Sequence, residues 1–291
     1  MTSFQRFADL VTLGEPIRAH GHSVFPLFRM RASPCRFLTL GQALDLGVAT
    51  VDEVEQDEVP WFRRVEVGNV GELPILILDG DLLEGGRQDR VADRPFWVPA
   101  HTRAPVPVSC VEANRCSVSE RADLGTASSM ARPELRAARM VDHPDQGATW
   151  DRVAEARAGL VPGGSLAEAR RGEPDLTQSF PFPVDATGLV VVRRTRAGPR
   201  IVLVEWLADA DAFRAVRGKL LRSALDASLA GRKPPRVSRT EVRKLFKGLG
   251  SIPCTAAAPL PALVQRLDSP WMRGWATDVD SEPVHVVVCP A

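Results

Sequence analysis

The sequence predicts an α+β protein, in which a β-rich N-terminal part packs with helices and with a C-terminal part of pattern ββααββ. Short apolar or alternating runs separated by Gly, Pro or Asn crowd residues 37–115, amphipathic helical patterns follow them, and a clear β-hairpin begins the last third of the chain. With 291 residues, of which 44% are hydrophobic, the chain can build a sizeable core.

The first half of the chain carries most of the strand signals. Five runs between residues 49 and 113 have strand character: ATVDEVE, FRRVEVGN, PILILDGD, RPFWVPA and PVPVSCVEA. The preceding run LTLGQALDLG predicts a short helix that ends at Gly47. Residues 117–130 are polar and rich in Ser, Ala and Gly, so they predict a long loop.

Two helical patterns come next, at residues 133–141 and 147–160. In the second, one face is shared by Trp150, Val153, Ala154 and Ala158. The run LTQSFPFPV, residues 176–184, interrupts regular structure with two prolines and predicts a linker. We therefore expect a β-rich part over residues 1–180 and a ββααββ part over residues 181–291, docked as one unit.

The C-terminal part shows its elements clearly. GLVVVRRT and PRIVLVEWL, joined by Arg-Ala-Gly, predict a hairpin. Helices are expected at about 209–230 and 238–249, and Ser238 and Glu241 form a capping box at the start of the second. RGWATDV and PVHVVVCP predict a final strand pair.

Charge and hydropathy exclude several classes of function. The formal net charge of +1 gives no overall attraction to nucleic acid or anionic membrane. Residues 213–247 contain 11 Lys and Arg against two acidic residues, so this segment is a candidate docking face for an acidic protein partner. No aromatic interleaving or known module accompanies this charge, so nucleic acid is not expected.

The N-terminus lacks a basic start followed by an apolar run, and no stretch approaches the roughly 20 apolar residues of a membrane span. We therefore expect a cytoplasmic protein without a membrane segment. The five cysteines have no CxxC or His-paired spacing, which argues against disulfides and structural zinc. Apart from His20-Gly-His22 the five histidines show no ligand spacing, and we expect surface positions for them.

The best candidate for chemistry is the charged segment, residues 79–90, with the sequence DGDLLEGGRQDR. Its carboxylates could hold Mg²⁺, which prefers oxygen ligands, while Arg87 and Arg90 could fork onto a phosphate or a carboxylate. The segment is neither a P-loop nor a dinucleotide fingerprint. The alternative is a polar hairpin turn with surface ion pairs of little energetic value.

A second polar run, SCVEANR, ends a nearby strand. The period of two in a strand places Cys110 and Glu112 on one face. A neighbouring carboxylate raises rather than lowers a thiol pKa, so Cys110 is expected to pack rather than react. Thiol-redox chemistry at Cys110 is the alternative.

The chain resembles a domain family named for its association with ADP-ribosylglycohydrolases and the rhodanese-phosphatase superfamily. The similarity runs through FLTLGQALDLGVATVDEV, VGNVGELPILILDGDLLEGGRQDRV and VPAHTRAPVPVSCVEANR. The residues that match the family pattern are Asp79, Gly80, Gln88, Arg90, Cys110, Glu112 and Arg115. Four positions depart from it: Asp81, Arg87, Asp89 and Cys116.

The resemblance implies a link to ADP-ribose and other NAD-derived nucleotides, and it favours a ligand site where residues 79–90 meet residues 110–115. In that scheme phosphates are held by Arg87, Arg90 and Arg115, with Gln88 and Asp89 as further ligand contacts. Asp79, Asp81 and Glu112 would act as general base toward water, and Asp79 and Asp81 would be the Mg²⁺ ligands. The rival is a non-catalytic interaction module in which the charged segment is structural and residues 213–247 dock an acidic partner.

Overall fold

The computed structural model of the protein describes residues 2–33, 35–54, 63–111, 124–141, 145–156, 166, 174–258 and 262–291. Strands outnumber helices in these residues, and the predicted α+β class is confirmed. The chain forms two compact units. Unit 1 contains residues 1–36 and 174–291, and unit 2 contains residues 37–173.

Helices and strands are numbered here in chain order over the described residues. The helices are α1 Ser3–Leu10, α2 Leu40–Asp45, α3 Pro133–Arg139, α4 Gln146–Ala156, α5 Ala210–Ala224 and α6 Arg239–Gly250. The strands are β1 Val11–Leu13, β2 Ile17–Ala19, β3 His22–Arg29, β4 Leu38–Thr39, β5 Ala49–Glu53, β6 Arg64–Asn69, β7 Ile75–Ile77, β8 Asp81–Glu84, β9 Arg90–Ala92, β10 Phe96–Val98, β11 Thr102–Cys110, β12 Gly125–Met130, β13 Gly188–Thr195, β14 Gly198–Leu207, β15 Cys254–Ala258, β16 Leu263–Asp268, β17 Met272–Val279 and β18 Glu282–Pro290. None of these helices has the length and apolar composition that a membrane crossing requires.

Unit 1 is built on one antiparallel sheet of nine strands. Their order is β1-β3-β13-β14-β18-β17-β16-β15. Strand β1 pairs with residues 27–29 of β3, and β2 pairs with residues 22–24 of the same strand. Strand β3 pairs with β13 from Leu27 opposite Gly188 to His22 opposite Arg193. This pairing places the first residues of the chain in the same sheet as its last third.

The compact units divide the chain at residues 36 and 174, which differs from the predicted division at residue 180. The reason is the β3–β13 pair, because a strand pairing between distant segments leaves no mark on local sequence patterns. The break at residue 174 does lie beside the predicted linker 176–184, which contains only the short 3₁₀ turn Thr177–Ser179.

The predicted elements of the C-terminal part are present. Strands β13 and β14 form the expected hairpin, with Thr195 opposite Gly198 at the turn. The capping box is formed as predicted, since the Ser238 N–H donates to Glu241 and the Glu241 N–H donates to Ser238 Oγ. Strands β15 and β16 extend the predicted ββααββ pattern at the edge of the sheet.

Unit 2 contains two sheets. The smaller has the order β10-β7-β4, with β4 and β7 parallel, and the larger has the order β12-β8-β9-β11-β6-β5 with antiparallel pairs. Apolar side chains from both sheets and α2 form one buried cluster that includes Leu40, Val67, Ile75, Ile77 and Val106. These three elements therefore provide a rigid base for the charged segment, whose first residues follow β7.

Two predictions in unit 2 need correction. Residues 125–130 form strand β12 rather than loop, because pairing with β8 gives these small residues a place in the sheet. The rest of the predicted loop, residues 117–123, lies outside the described residues. On α4, Val153 is buried, but Trp150, which was expected on the same packed face, is 40% exposed. The apolar pattern of this helix is therefore only partly used for packing.

Candidate functional site

The charged segment forms a hairpin with two polar ends. Strand β8 and strand β9 pair antiparallel, with Leu82 opposite Val91 and Leu83 opposite Arg90. Asp79 and Asp81 lie where β8 begins, and the turn 85–89 lies where it ends. Because β8 has four residues, a rise of roughly 3.3 Å per residue separates these ends by about 10 Å. The structure thus places Asp79 and Asp81 at the opposite end of the hairpin from Arg87 and Arg90.

The turn end is organised by Glu53, a residue that sequence reasoning missed. Glu53 ends β5, and its Oε1 accepts hydrogen bonds from the Arg87 backbone N–H at 3.0 Å and from Arg90 Nη2 at 3.1 Å. Its Oε2 lies 3.5 Å from Arg87 Nε. A Cβ atom at Gly86 would lie only 2.8 Å from Glu53 Oε1, and the φ of Gly86 is +54°. Glycine is therefore required for this close approach.

Further hydrogen bonds close the turn on itself. The Gly85 N–H donates to Asp89 Oδ1 at 3.1 Å, and Arg90 Nη1 donates to the Gln88 carbonyl oxygen at 2.6 Å. Gln88, Asp89 and Arg90 are all buried, whereas the Arg87 side chain keeps 34% of its surface exposed. The alternative of a solvated surface turn is therefore wrong, and among the predicted contacts that the structure describes Arg87 is the most exposed.

The other end of the hairpin is dominated by Asp79 and a partner from α3. Arg136 donates from Nε to Asp79 Oδ2 and from Nη2 to Asp79 Oδ1, both at 2.9 Å, and both side chains are buried. Such a bidentate pair is strong and holds the Asp79 side chain in a fixed position. Gly80 makes room for it, since a Cβ there would lie 2.7 Å from Arg136 Cγ, and its φ is +78°.

Asp81 is fully buried two residues further on. Its Oδ2 accepts the Leu78 N–H at 3.2 Å, which ties the carboxylate to the end of β7. Within the described residues of unit 2, no third His, Cys, Asp or Glu side chain joins Asp79 and Asp81 within 4.8 Å. The Arg136 guanidinium lies beside Asp79, so a Mg²⁺ ion bound there would share this carboxylate with a second cation.

A second buried arginine of α3 forms a neighbouring network. Arg139 donates hydrogen bonds to Asp93, Ser109 and Thr149, and Ser109 Oγ donates to Asp93 Oδ2 at 3.3 Å. Burial raises the pKa of the Asp93 carboxyl, and the Arg139 guanidinium acts in the opposite direction. Arg136 and Arg139 share one face of α3 because they are three residues apart. Sequence reasoning missed both.

The second predicted polar run is only partly described. Arg90 lies opposite Cys110, and the Val111 N–H donates to the Asp89 carbonyl oxygen at 3.1 Å, so β11 does lead to the charged segment. Glu112 and Arg115, the remaining predicted site residues, lie outside the described residues. Cys110 is 2% exposed, and its backbone pairs with the Gln146 side-chain amide in both directions. This environment fits a packing role for Cys110.

The expectation of surface histidines is wrong for two of them, both in unit 1. His285 and Glu205 are fully buried, with His285 Nε2 at 2.7 Å from Glu205 Oε1. His22 is also fully buried, and its Nε2 accepts the Asp226 N–H at 3.1 Å. Burial lowers the pKa of His22, with a smaller contribution from Arg193 and opposing contributions from the His20 carbonyl and Asp226. His285 lies in the predicted strand PVHVVVCP, whereas no strand was predicted around His22.

Comparison with known proteins identifies one family. The model of the ARPP-1 family, described as the ARG and Rhodanese-Phosphatase-superfamily-associated Protein domain, matches residues 10–289. The match covers both units and includes the whole charged segment. No curated protein and no solved structure is significantly similar to the chain.

Proposed function

The chain belongs to the ARPP-1 family, and from this membership and the buried charged segment we propose that it binds or hydrolyses an NAD-derived nucleotide such as ADP-ribose. The family name links it to ADP-ribosylglycohydrolases, which act on ADP-ribose linkages. The proposal places the ligand at the β8–β9 hairpin of unit 2.

The observation that carries the proposal is the burial of ionisable groups in this hairpin. Asp79, Asp81, Asp89 and Arg90 are each no more than 2% exposed. Burying charges costs free energy even when they are paired, and apolar residues of similar volume would serve packing at least as well. Concentrations of such groups are typical of functional sites.

The turn end supplies the phosphate contacts in this proposal. Arg87 reaches solvent, and its Nε lies 3.5 Å from Glu53 Oε2, a distance that indicates a loose ion pair. A phosphate group would take the place of Glu53 beside the Arg87 side chain. Arg90 would keep its ion pair with Glu53. Gln88, Asp89 and Arg115 complete the proposed ligand contacts.

Hydrolysis would use carboxylates of the charged segment and of the polar run that follows β11. Asp81 and Glu112 are the proposed general bases toward water, and Mg²⁺ is the proposed cation. The carboxylate of Asp79 is already engaged, because Arg136 binds both of its oxygens. We therefore assign Asp79 the role of positioning the start of β8.

The proposal is tested by calorimetric titration of the protein with ADP-ribose, in the presence and absence of Mg²⁺. The matched variants are Arg87→Ala and Arg103→Ala. Both remove one partly or largely exposed guanidinium from unit 2, but Arg103 lies on β11 and pairs with Glu66 rather than with the charged segment. Chromatography of the incubated nucleotide reports turnover in the same samples.

Saturable binding that Arg87→Ala weakens by roughly tenfold and Arg103→Ala leaves unchanged would support the proposal. Tenfold corresponds to about 1.4 kcal/mol, which one charge-assisted hydrogen bond can supply. Absence of heat with and without Mg²⁺ would remove the ADP-ribose form of the proposal. Equal losses in both variants would indicate nonspecific attraction and would also count against it.

The second candidate function is a non-catalytic interaction module. It is favoured by the exposed basic residues that precede and follow the start of α6, namely Arg232, Lys233, Arg236, Arg243, Lys244 and Lys247. Of the basic residues from 232 to 247, Arg239 has an ion pair among the described contacts, with Glu15 at 3.0 Å. In this reading the charged segment is structural and the basic face binds an acidic protein.

Two measurements separate the candidates. Replacing Asp81 and Glu112 together by alanine should abolish turnover with little change of the melting temperature in an enzyme, whereas a structural segment loses thermal stability. A Glu-rich peptide that binds the wild type, and not a variant with Lys233, Arg236 and Lys244 replaced by alanine, would support the interaction module.

A further inference from the structure

A pocket of about 470 Å³ lies in unit 1, far in sequence from the charged segment. It is formed where β3 ends at Arg29, by residues 30–33 and 36 and by the start of α5. Pockets of roughly 300–1,000 Å³ are typical of small-molecule sites. Three arginines line it, Arg29, Arg31 and Arg36, and we call it the arginine pocket.

Arg29 is the buried arginine of this pocket, and its side chain is held by defined contacts. Its side chain is only 5% exposed and lies over the Trp206 ring, with Cζ 5.6 Å from the ring centroid. Its Nε donates to the Arg31 carbonyl oxygen at 2.9 Å, and its Nη2 lies 3.5 Å from Glu282. Its Nη1 is buried and has no hydrogen-bond partner among the described residues. Such an unpaired buried donor is rare, and a bound oxyanion would pair it.

The other two arginines stand at the surface of the pocket. Arg31 and Arg36 are exposed, and neither forms an ion pair with the described residues. All three arginines line one pocket, and the guanidinium groups of Arg31 and Arg36 are each able to form bidentate hydrogen bonds. Burial lowers the pKa of Arg29, and Glu282 acts in the opposite direction.

The carboxylates of the pocket do not neutralise these arginines. Asp209 caps α5, because its Oδ1 accepts the N–H groups of Asp211 and Ala212. Asp211 forms an ion pair with Arg214, on the helix itself. The cap also means that the first N–H groups of α5 are already bound, so the attraction for an anion comes from the arginines.

We propose that the arginine pocket binds a small metabolite that carries a phosphate or carboxylate group and also hydroxyl groups. The oxyanion lies against Arg29, Arg31 and Arg36, and the hydroxyl groups donate to the Asp209 side of the pocket. The proposal is independent of nucleotide binding at the charged segment, because all lining residues belong to unit 1.

The test uses ribose 5-phosphate, inorganic phosphate, gluconate and free ribose in calorimetric titrations of the full-length chain. Ribose 5-phosphate and gluconate distinguish phosphate from carboxylate ligands, and ribose is the uncharged control. The variants are Arg31→Ala, Arg36→Ala and Arg29→Lys. The first two replace exposed side chains and should leave the fold intact, whereas Arg29→Lys keeps the positive charge but removes the planar guanidinium that can form two parallel hydrogen bonds.

Two control variants locate the effect. Arg200→Ala removes an exposed arginine of unit 1 at the opposite end of the β13–β14 hairpin, eight residues before Ala208, or roughly 25 Å at the rise of a strand. Arg87→Ala removes the exposed arginine of the charged segment. Neither should change binding at the arginine pocket.

The expected result is saturable binding of ribose 5-phosphate or gluconate, with weaker binding of inorganic phosphate and none of ribose. Each arginine-pocket variant should weaken it by roughly tenfold. The proposal is overturned if no anion binds, if Arg200→Ala weakens binding as much as Arg31→Ala, or if only Arg87→Ala affects it. The last outcome would support the charged segment alone, so the two proposals fail separately.

Discussion

The charged segment of unit 2 and the arginine pocket of unit 1 use the same side chain in opposite ways. In the charged segment Arg90 and Arg136 are buried and bound to Glu53 and Asp79. In the arginine pocket Arg31 and Arg36 are exposed without an ion pair among the described residues, and Arg29 keeps a buried donor unpaired. Carboxylates of the protein itself therefore hold the arginines of the charged segment in place, whereas the arginine pocket keeps guanidinium N–H groups that a ligand could bind.

The largest expected effect comes from breaking the buried ion pair between Arg136 and Asp79. Arg136→Met leaves the Asp79 charge buried without a partner, and we expect unfolding free energy to fall by about 3–5 kcal/mol in urea unfolding. The double variant Asp79→Asn, Arg136→Met removes both charges and should recover most of this loss. A double variant as unstable as the single one would mean that packing, and not the unpaired charge, carries the cost.

A smaller loss is expected from Gly80→Ala. The new Cβ would clash with Arg136 Cγ and adopt an unfavourable φ, so we expect a loss of roughly 3 kcal/mol. Gly47→Ala is the matched control in the same unit, because its φ of +69° is similar but no atom lies within 4 Å. The control should cost about 1 kcal/mol from the backbone alone. Equal losses would show that close approach to Arg136 is unimportant.

The two units should also differ in their response to pH. The pKa of His22 is lowered in the folded protein, so the unfolded chain binds more protons as pH falls through the ordinary histidine range. Stability contributed by neutral His22 is therefore present above about pH 6.5 and is lost below it. Protonation also removes the acceptor of the Asp226 N–H bond.

Thermal melts at pH 7.5 and pH 5.0 check this. The wild type should lose stability on acidification, and His22→Gln, whose amide oxygen can replace Nε2 as acceptor, should lose less. Asp93 in unit 2 has a raised pKa and contributes in the opposite direction, because the folded state retains its proton to higher pH. An unchanged acid sensitivity in His22→Gln would assign the effect to other groups.

The smallest expected effect is a change of ADP-ribose affinity at the turn end of the charged segment. Glu53→Gln keeps an oxygen that accepts from Arg87 and Arg90 but removes the competing negative charge. If the turn end binds phosphate, ADP-ribose affinity should rise by about two- to fivefold, as expected for one partly exposed ion pair. Calorimetry gives the change, and Glu66→Gln beside Arg103 is the control. A fall in affinity would mean that Glu53 positions the ligand contacts.

Much of the fold was predictable from local patterns. The β13–β14 hairpin and the capping box of α6 were predicted correctly, because a short turn or a helix start depends on residues a few positions apart. Strand β12 was missed since its Ser, Ala and Gly residues have little strand preference of their own. The pairing of β3 with β13 joins segments about 160 residues apart, and no local pattern reports it.

The sequence by itself determined elements that depend on short-range patterns, such as the β13–β14 hairpin, and the concentration of charge in residues 79–90, since both follow from residue types and short-range spacing. Only the tertiary structure decided which charges meet. Asp79 binds Arg136, which lies 57 positions away, and Glu53 binds Arg90, which lies 37 positions away. Such partners are chosen by where packed strands and helices bring the side chains, because a buried charge is stable only beside a partner that the fold delivers to it.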